Sequence, residues 1–179
     1  MSTPAVSHIS SRDNAWLKNL RRLAQDSTAY RRQGQVWLEG DHLCRAVLAR
    51  GLRAETAVFA ESGWAREQER WTDAADRIVV LPDALFASLS SLESPAAMGF
   101  VMPLPAAPAL QPHAPSVVLD RLQDAGNVGS ILRSAAAFGI GQVAAIKGTA
   151  ALWSPKVLRA GMGAHFGLHL VEGLGPDSL

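Results

Sequence analysis

The chain has 179 residues, 48% of them hydrophobic, with 17 Lys+Arg against 16 Asp+Glu and a formal charge of +1. This composition excludes a disordered, collagen-like or strongly basic chain, and the single cysteine, Cys44, excludes an internal disulfide framework. No apolar run approaches the roughly 18–20 residues of a membrane span, and residues 1–12 lack a secretory signal, so a cytoplasmic protein with no membrane partner is expected.

Residues 12–32 carry six basic side chains (Arg12, Lys18, Arg21, Arg22, Arg31, Arg32) and two acidic ones (Asp13, Asp26). Within them Trp16, Leu17, Leu20, Leu23 and Ala24 recur at helical spacing, so one face docks on apolar neighbours while Lys18, Arg21 and Arg22 lie off it. Such a basic face is either a contact for a phosphate backbone or an ordinary solvated surface. Residues 1–30 therefore read as a basic N-terminal extension bearing a helix.

Short apolar runs then alternate with helical patterns. They predict strand 36–38, helix 41–50, strand 56–60, helix 64–71, strand 77–81, helix 82–90 with Pro82 in its first turn, and strand 98–102. That order specifies a small three-layer α/β domain over residues 31–102. Six of the ten prolines fall between Pro95 and Pro115. Each removes a backbone donor and biases its predecessor toward extended geometry, so residues 103–115 read as a semi-rigid linker.

Beyond it, residues 116–119 predict a buried strand, followed by a polar loop over 120–126. Val128, Ile131, Leu132, Ala135 and Gly139 mark a helix at i, i+3, i+4, i+7 and i+11. Residues 142–146 predict a strand. Ser154 and Pro155 open a helix as N-cap and first residue, Gly163 ends it, and residues 165–171 predict a last strand. A β-α-β-α-β order this short requires right-handed crossovers and a mostly parallel sheet.

The loop after the first of these strands lies where open α/β sheets hold ligands. Gly126 and Gly129 let the backbone turn tightly and approach a partner. Asn127 offers a donor and an acceptor at the helix start, or serves only as its N-cap. Arg133 falls outside the apolar stripe, where an arginine is often only solvated. A dinucleotide loop would need glycine where Asp124 stands, and no glycine precedes Lys-Ser or Lys-Thr as a P-loop requires. Nicotinamide and nucleoside-triphosphate chemistry are set aside on those grounds.

The segment Asp124-x-Gly126-Asn127-x-Gly129-x-x-x-Arg133, then Ala135-x-x-Phe138-Gly139, then Ser154-Pro155-Lys156-x-x-Arg159-x-x-Met162-Gly163-Ala164 resembles the first signature block of the SpoU (TrmH-type) RNA ribose methyltransferases of the knotted SPOUT class. Residues 8–14, Tyr30-Arg31-Arg32 and Leu38-Glu39-Gly40 are similar to the start of the same family, where a ribosomal-protein-like domain holds the RNA. Ala125 departs from the proline often found in the family.

The resemblance implies methyl transfer from S-adenosylmethionine to a ribose 2′-hydroxyl of structured ribosomal or transfer RNA. It makes Arg133 the catalytic arginine and Asn127 its companion. Arg12, Lys18, Arg21, Arg22, Arg31 and Arg32 become RNA contacts, and Lys156 either touches phosphate or is solvated. A guanidinium stays protonated, so Arg133 is better suited to stabilise a developing alkoxide and grip the adjacent phosphate than to act as a free base.

The family carries two later blocks that complete the knot and most of the adenosylmethionine pocket. Neither occurs in these residues, so 116–179 is expected to be the N-terminal half of a methyltransferase domain, an incomplete parallel-sheet α/β unit. By itself it is expected neither to bind the donor nor to catalyse. The resemblance also implies a homodimer for the complete enzyme. The alternative is a non-catalytic RNA-binding module, and a third reading is a nucleotide-binding α/β protein unrelated to RNA.

Other candidates fall to structural roles. Cys44 sits among Leu43, Val47 and Leu48 as a core thiol. The five tryptophans read as packing residues, with base stacking by one of them the alternative. His165 and His169, four apart on the expected strand, would stand about 13 Å apart, too far for one ion, so no metal site is expected.

Overall fold

Apolar runs of four to seven residues become strands, and the 3.6-residue stripes between them become the helices that cover those strands. The structure, a computed structural model, describes residues 4–90 and 92–178. It divides into two compact units, Met1–Leu104 and Pro105–Leu179.

The first unit runs β1 (Ala5–His8), α1 (Ala15–Gln25), α2 (Ala29–Gln33), β2 (Gln35–Glu39), α3 (Asp41–Leu48), β3 (Ala54–Ala60), α4 (Glu61–Trp71), β4 (Ala75–Leu81), α5 (Asp83–Ala87) and β5 (Met98–Pro103). The sheet order is β1-β4-β3-β5-β2. β3 pairs parallel with β4, and β4 with β1, whereas β5 runs antiparallel to both β3 and β2. Consecutive residues Ala57, Val58, Phe59 and Ala60 are all buried, as are Ile78, Val79, Val80 and Leu81. Neighbouring strand residues point to opposite faces, so both faces of this sheet are covered.

The core is aromatic. Trp37, Trp71, Phe59, Phe86 and Phe100 are fully buried. Gly99 makes room for Trp37, since a Cβ there would run into the indole ring and come 2.7 Å from the Leu38 carbonyl oxygen. Trp16 and Trp64 are only half-buried, and Trp64 packs on Phe59 with ring centroids 5.0 Å apart.

The Asn14 side chain accepts the Leu17 amide at 3.1 Å and caps α1. Leu17, Leu20, Leu23 and Ala24 form its buried stripe, as the spacing predicts. Pro82 stands one residue earlier than expected, as the N-cap of α5. β1 was not legible in the sequence. Its side chains are mostly exposed and it joins the sheet by backbone pairing, Ala5 opposite Arg77 through His8 opposite Val80. The expected N-terminal extension is therefore an edge strand plus α1, both within the first unit.

The second unit runs β6 (Ser116–Leu119), α6 (Ala125–Ala137), β7 (Gln142–Ile146), α7 (Pro155–Gly161), a 3-10 turn (Ala164–Gly167), β8 (His169–Leu174) and a final 3-10 turn (Pro176–Ser178). Its sheet is parallel, in the order β6-β7-β8, and the central strand β7 is buried along its whole length.

The expected last strand starts too early. His165 belongs to the 3-10 turn, because Met162 (φ 51°) and Gly163 (φ 87°) turn the chain left-handed before β8 begins. The argument that spaced His165 and His169 along one strand therefore fails. The expected linker is also shorter than residues 103–115. Pro103 lies in β5, and the buried Gln142 side chain clasps Gln111, accepting its amide at 2.8 Å and donating to its carbonyl at 3.3 Å. His169 Nε2 meets the Ala109 carbonyl at 2.6 Å. Among the described residues no helix is long and apolar enough to cross a membrane.

Candidate functional site

The loops leaving the carboxyl ends of β6 and β7 are tied side by side. The Thr149 hydroxyl donates to the Leu119 carbonyl at 2.9 Å, and the Ala150 amide donates to the Leu122 carbonyl at 2.8 Å. The tight turn between β6 and α6 is made by Arg121, left-handed at φ 52°, rather than by a glycine. Its guanidinium grips Asp120 at 2.7 Å and holds that carboxyl below the usual carboxylate range. Gly148 (φ 104°) supplies the facing turn, where a Cβ would press to 3.1 Å of the Arg121 side chain. Carboxyl-end loops of this kind are where parallel sheets place ligands.

Asp124 caps α6 by accepting the Asn127 amide at 2.7 Å. Asn127 is thus the third helical residue and not the cap, which leaves its exposed side chain without a partner among the described residues. Gly126 and Gly129 lie inside the helix, not in a bend. Gly129 serves packing, since a Cβ there would collide with Ala160 and come 2.7 Å from the Gly161 nitrogen of α7.

Arg133 follows Gly129 by four residues and Gly126 by seven, which places all three on one face of α6. Helical side chains lean toward the helix start, which directs Arg133 toward the end of α6 that follows the β6 loop. It is exposed and has no partner among the described residues. No described carboxylate pairs with it.

Ser154 caps α7 through the Val157 amide at 3.4 Å, with Pro155 in its first turn and Lys156 exposed. Behind this helix His165 is 1% exposed. Its Nε2 donates to the Leu152 carbonyl at 2.8 Å, and burial pushes its pKa down to about 4, the hydrogen bond opposing the shift. Glu172 accepts the Leu152 amide at 2.7 Å. Leu152 is therefore held from both sides, which fixes the loop before Ser154. Cys44 donates to the Leu38 carbonyl at 3.7 Å, and burial, with the Asp41 carboxylate, raises its thiol well above the usual range. It is an inert core thiol.

In the first unit, Lys18, Arg21 and Arg22 come together with Gln25 and Asp26 around a shallow cavity of about 430 Å³. Lys18 is paired with Asp13 at 2.9 Å, and Arg21 donates to the Ser88 hydroxyl at 3.3 Å. Arg32 is paired with Asp26 at 2.9 Å, and Arg31 stacks on Tyr30, 5.3 Å from the ring centroid. Arg12 and Arg22 are exposed and have no partner among the described residues. The structure thus gathers three of the six predicted cations and leaves Arg12, Arg31 and Arg32 outside that cluster. Among the described residues no three His, Cys, Asp or Glu side chains cluster as a metal site would require.

Two family models match this chain, the MRM3-like substrate binding domain over residues 14–99 and the SpoU rRNA Methylase family over residues 114–174. Residues 114–174 thus form a SpoU methylase domain, preceded by an MRM3-like substrate binding domain. It is 35% identical over 181 residues to the mitochondrial rRNA methyltransferase 3B of Danio rerio, covering 88% of this chain and 37% of that relative. It is 33% identical over 173 residues to an uncharacterized tRNA/rRNA methyltransferase of Synechocystis, covering 90% of this chain and 61% of the relative. The chain thus spans less than two thirds of the length of these relatives. Among solved structures, the SpoU methyltransferase AviRb of Streptomyces viridochromogenes, in complex with AdoMet, superposes with a TM-score of 0.78 at 25% identity, over 92% of this chain and 64% of that one.

The SpoU segment therefore contains Asp124, Asn127, Arg133 and the α7 cap in one short β-α-β-α stretch. Sequence reasoning missed Thr149, Gln142 and Glu172, whose side chains fix loops by long-range hydrogen bonds. No local pattern marks such partners, which lie 20 to 31 residues away.

Proposed function

We infer that this chain is the RNA-holding and ribose-activating part of an S-adenosylmethionine-dependent 2′-O-methyltransferase acting on ribosomal or transfer RNA. One observation carries the reading. Arg133 is an exposed guanidinium with no partner among the described residues, on the α6 helix that follows the carboxyl-end loop of β6. When bound, the donor supplies an electrophilic methyl group. The chain's own work is on the ribose. Arg133 presents N–H donors to the 2′-oxygen as negative charge develops there, and to the adjacent phosphate. It stays protonated throughout, so it stabilises the alkoxide electrostatically while the 2′-hydroxyl proton leaves to solvent water. Asn127, with its side chain free at the helix start, orients the sugar through a donor and an acceptor.

The cations of α1, with Arg12, Arg31, Arg32 and Lys156, would contact phosphates. The enzyme is cytoplasmic and homodimeric, and these 179 residues alone neither hold the donor tightly nor turn over. The second unit leaves Phe138 83%, Met162 49% and Val118 45% exposed, apolar surface that calls for further cover.

Two measurements test this. Calorimetric titration of the 179 residues with adenosylmethionine is expected to show no micromolar binding, and such binding would refute the claim of inactivity. Methyl transfer to ribosomal RNA is then assayed in a chimera continued by the C-terminal part of the Synechocystis relative. Arg133→Ala is expected to lower the rate about 10²–10³-fold with RNA affinity within about twofold. Undiminished transfer by that variant would remove Arg133 from the chemistry, and RNA binding without any transfer favours the non-catalytic module.

A further inference from the structure

A second cavity, of about 450 Å³, lies on the first unit between α1 and the sheet. Its volume is in the range of small-molecule and nucleoside pockets. Trp16 and Arg77 border it together, the guanidinium over the indole ring 5.1 Å from its centroid, so the wall is aromatic and cationic. Asn19, Gln33, Gln35 and Glu55 supply the polar rim. Gln35 Nε2 donates to both Glu55 oxygens, at 2.9 and 2.8 Å. A carboxylate has about four lone-pair sites, so Glu55 still has room to accept donors. The Asn19 side chain has no partner among the described residues. Its helix neighbour three residues on is Arg22, one of the unpaired exposed cations.

We propose that this cavity takes one unpaired guanine of the RNA, stacked on Trp16 and Arg77 with its N–H edge on Glu55, while Arg22 holds a neighbouring phosphate. The proposal rests on the RNA-binding reading above and adds the subsite that reads a base. An unstacked base lies on aromatic rings or arginine planes and is identified along its Watson–Crick edge. Guanine offers a carboxylate two adjacent N–H donors there, and adenine does not. An extended backbone holds phosphate and base a few ångströms apart, as Arg22 and Asn19 stand on successive turns of α1.

Filter binding of the 179-residue protein tests the proposal with three RNAs: a hairpin with unpaired guanines in its loop, the same hairpin with adenines, and a blunt duplex. The expected order is guanine loop, adenine loop, duplex. Trp16→Leu should weaken both looped RNAs about tenfold, the value of one base–aromatic stack, and leave the duplex unchanged. Glu55→Gln, at an exposed position with no packing role, should abolish the preference for guanine over adenine. Equal binding of looped and duplex RNA by wild type, no guanine preference, or looped-RNA binding by both variants equal to wild type would overturn the subsite while the RNA-binding reading stands. Failure of wild type to bind any of the three would overturn both.

Discussion

The two units spend their polar groups differently. In the first, four of the six predicted RNA-binding cations already have partners: Lys18 has Asp13, Arg32 has Asp26, Arg21 has Ser88 and Arg31 has Tyr30. Its sheet is covered on both faces and its large aromatics are packed. In the second, one helix carries on its exposed face an arginine and an asparagine side chain without partners among the described residues. Paired surface cations exchange a carboxylate for a phosphate at modest cost and so tune affinity. An unpaired guanidinium on a rigid helix is ready to meet charge that appears only during reaction. On the proposed reading, the first unit holds a polyanion and the second acts on it.

The largest effect that would sharpen this contrast comes with pH. The buried His165 has its pKa pushed down to about 4, mainly by burial, against about 6.5 in an unfolded chain. Between those values the unfolded state binds the proton first. Stability from this group is therefore complete above about pH 6.5 and is lost as pH falls toward 4, at up to about 1.4 kcal/mol per pH unit. Thermal melts between pH 7 and 4.5 should show the second unit weakening first, and His165→Gln should flatten the dependence. Identical slopes in the two proteins would remove His165 as its source.

Gly129→Ala tests the helix contact beneath Arg133. The added methyl would collide with Ala160 and press against the α7 backbone, so a loss of about 1–3 kcal/mol is expected in urea unfolding, with Arg133 displaced as α6 shifts. A silent substitution would mean that α6 and α7 are not tightly apposed. Asp124→Ala removes the α6 cap and should cost about 1 kcal/mol, read by the same denaturation. The smallest effect concerns affinity. Arg22→Gln should reduce the slope of log K against log salt by about 0.7–0.9 for RNA binding. Arg32→Gln should reduce it less, because Asp26 already partly neutralises that cation. Equal reductions would break the distinction between free and paired cations.

Much of this architecture could be read from local pattern. The α1 stripe, the Ser154–Pro155 helix start and the buried strands 56–60, 77–81 and 142–146 follow from periodicity and capping chemistry, which act within one or two turns of chain. Motif spacing likewise singled out Asn127 and Arg133. The structure reassigned the details around them. Asp124 rather than Asn127 caps α6, Arg121 rather than a glycine makes the turn, and Gly129 faces α7 rather than a ligand.

Tertiary structure alone decided the rest. The edge strand β1 has almost no hydrophobic signal and exists because β4 offers it free backbone groups. His165 left its expected strand because two left-handed residues redirect the chain and bury the ring against Leu152. Whether each cation is free or paired depends on carboxylates and hydroxyls that folding brings near, as with Arg21 and Ser88, 67 residues apart. Periodicity and capping report forces between neighbours in sequence, whereas pairing, burial and close helix approach depend on groups that become neighbours only when the chain folds.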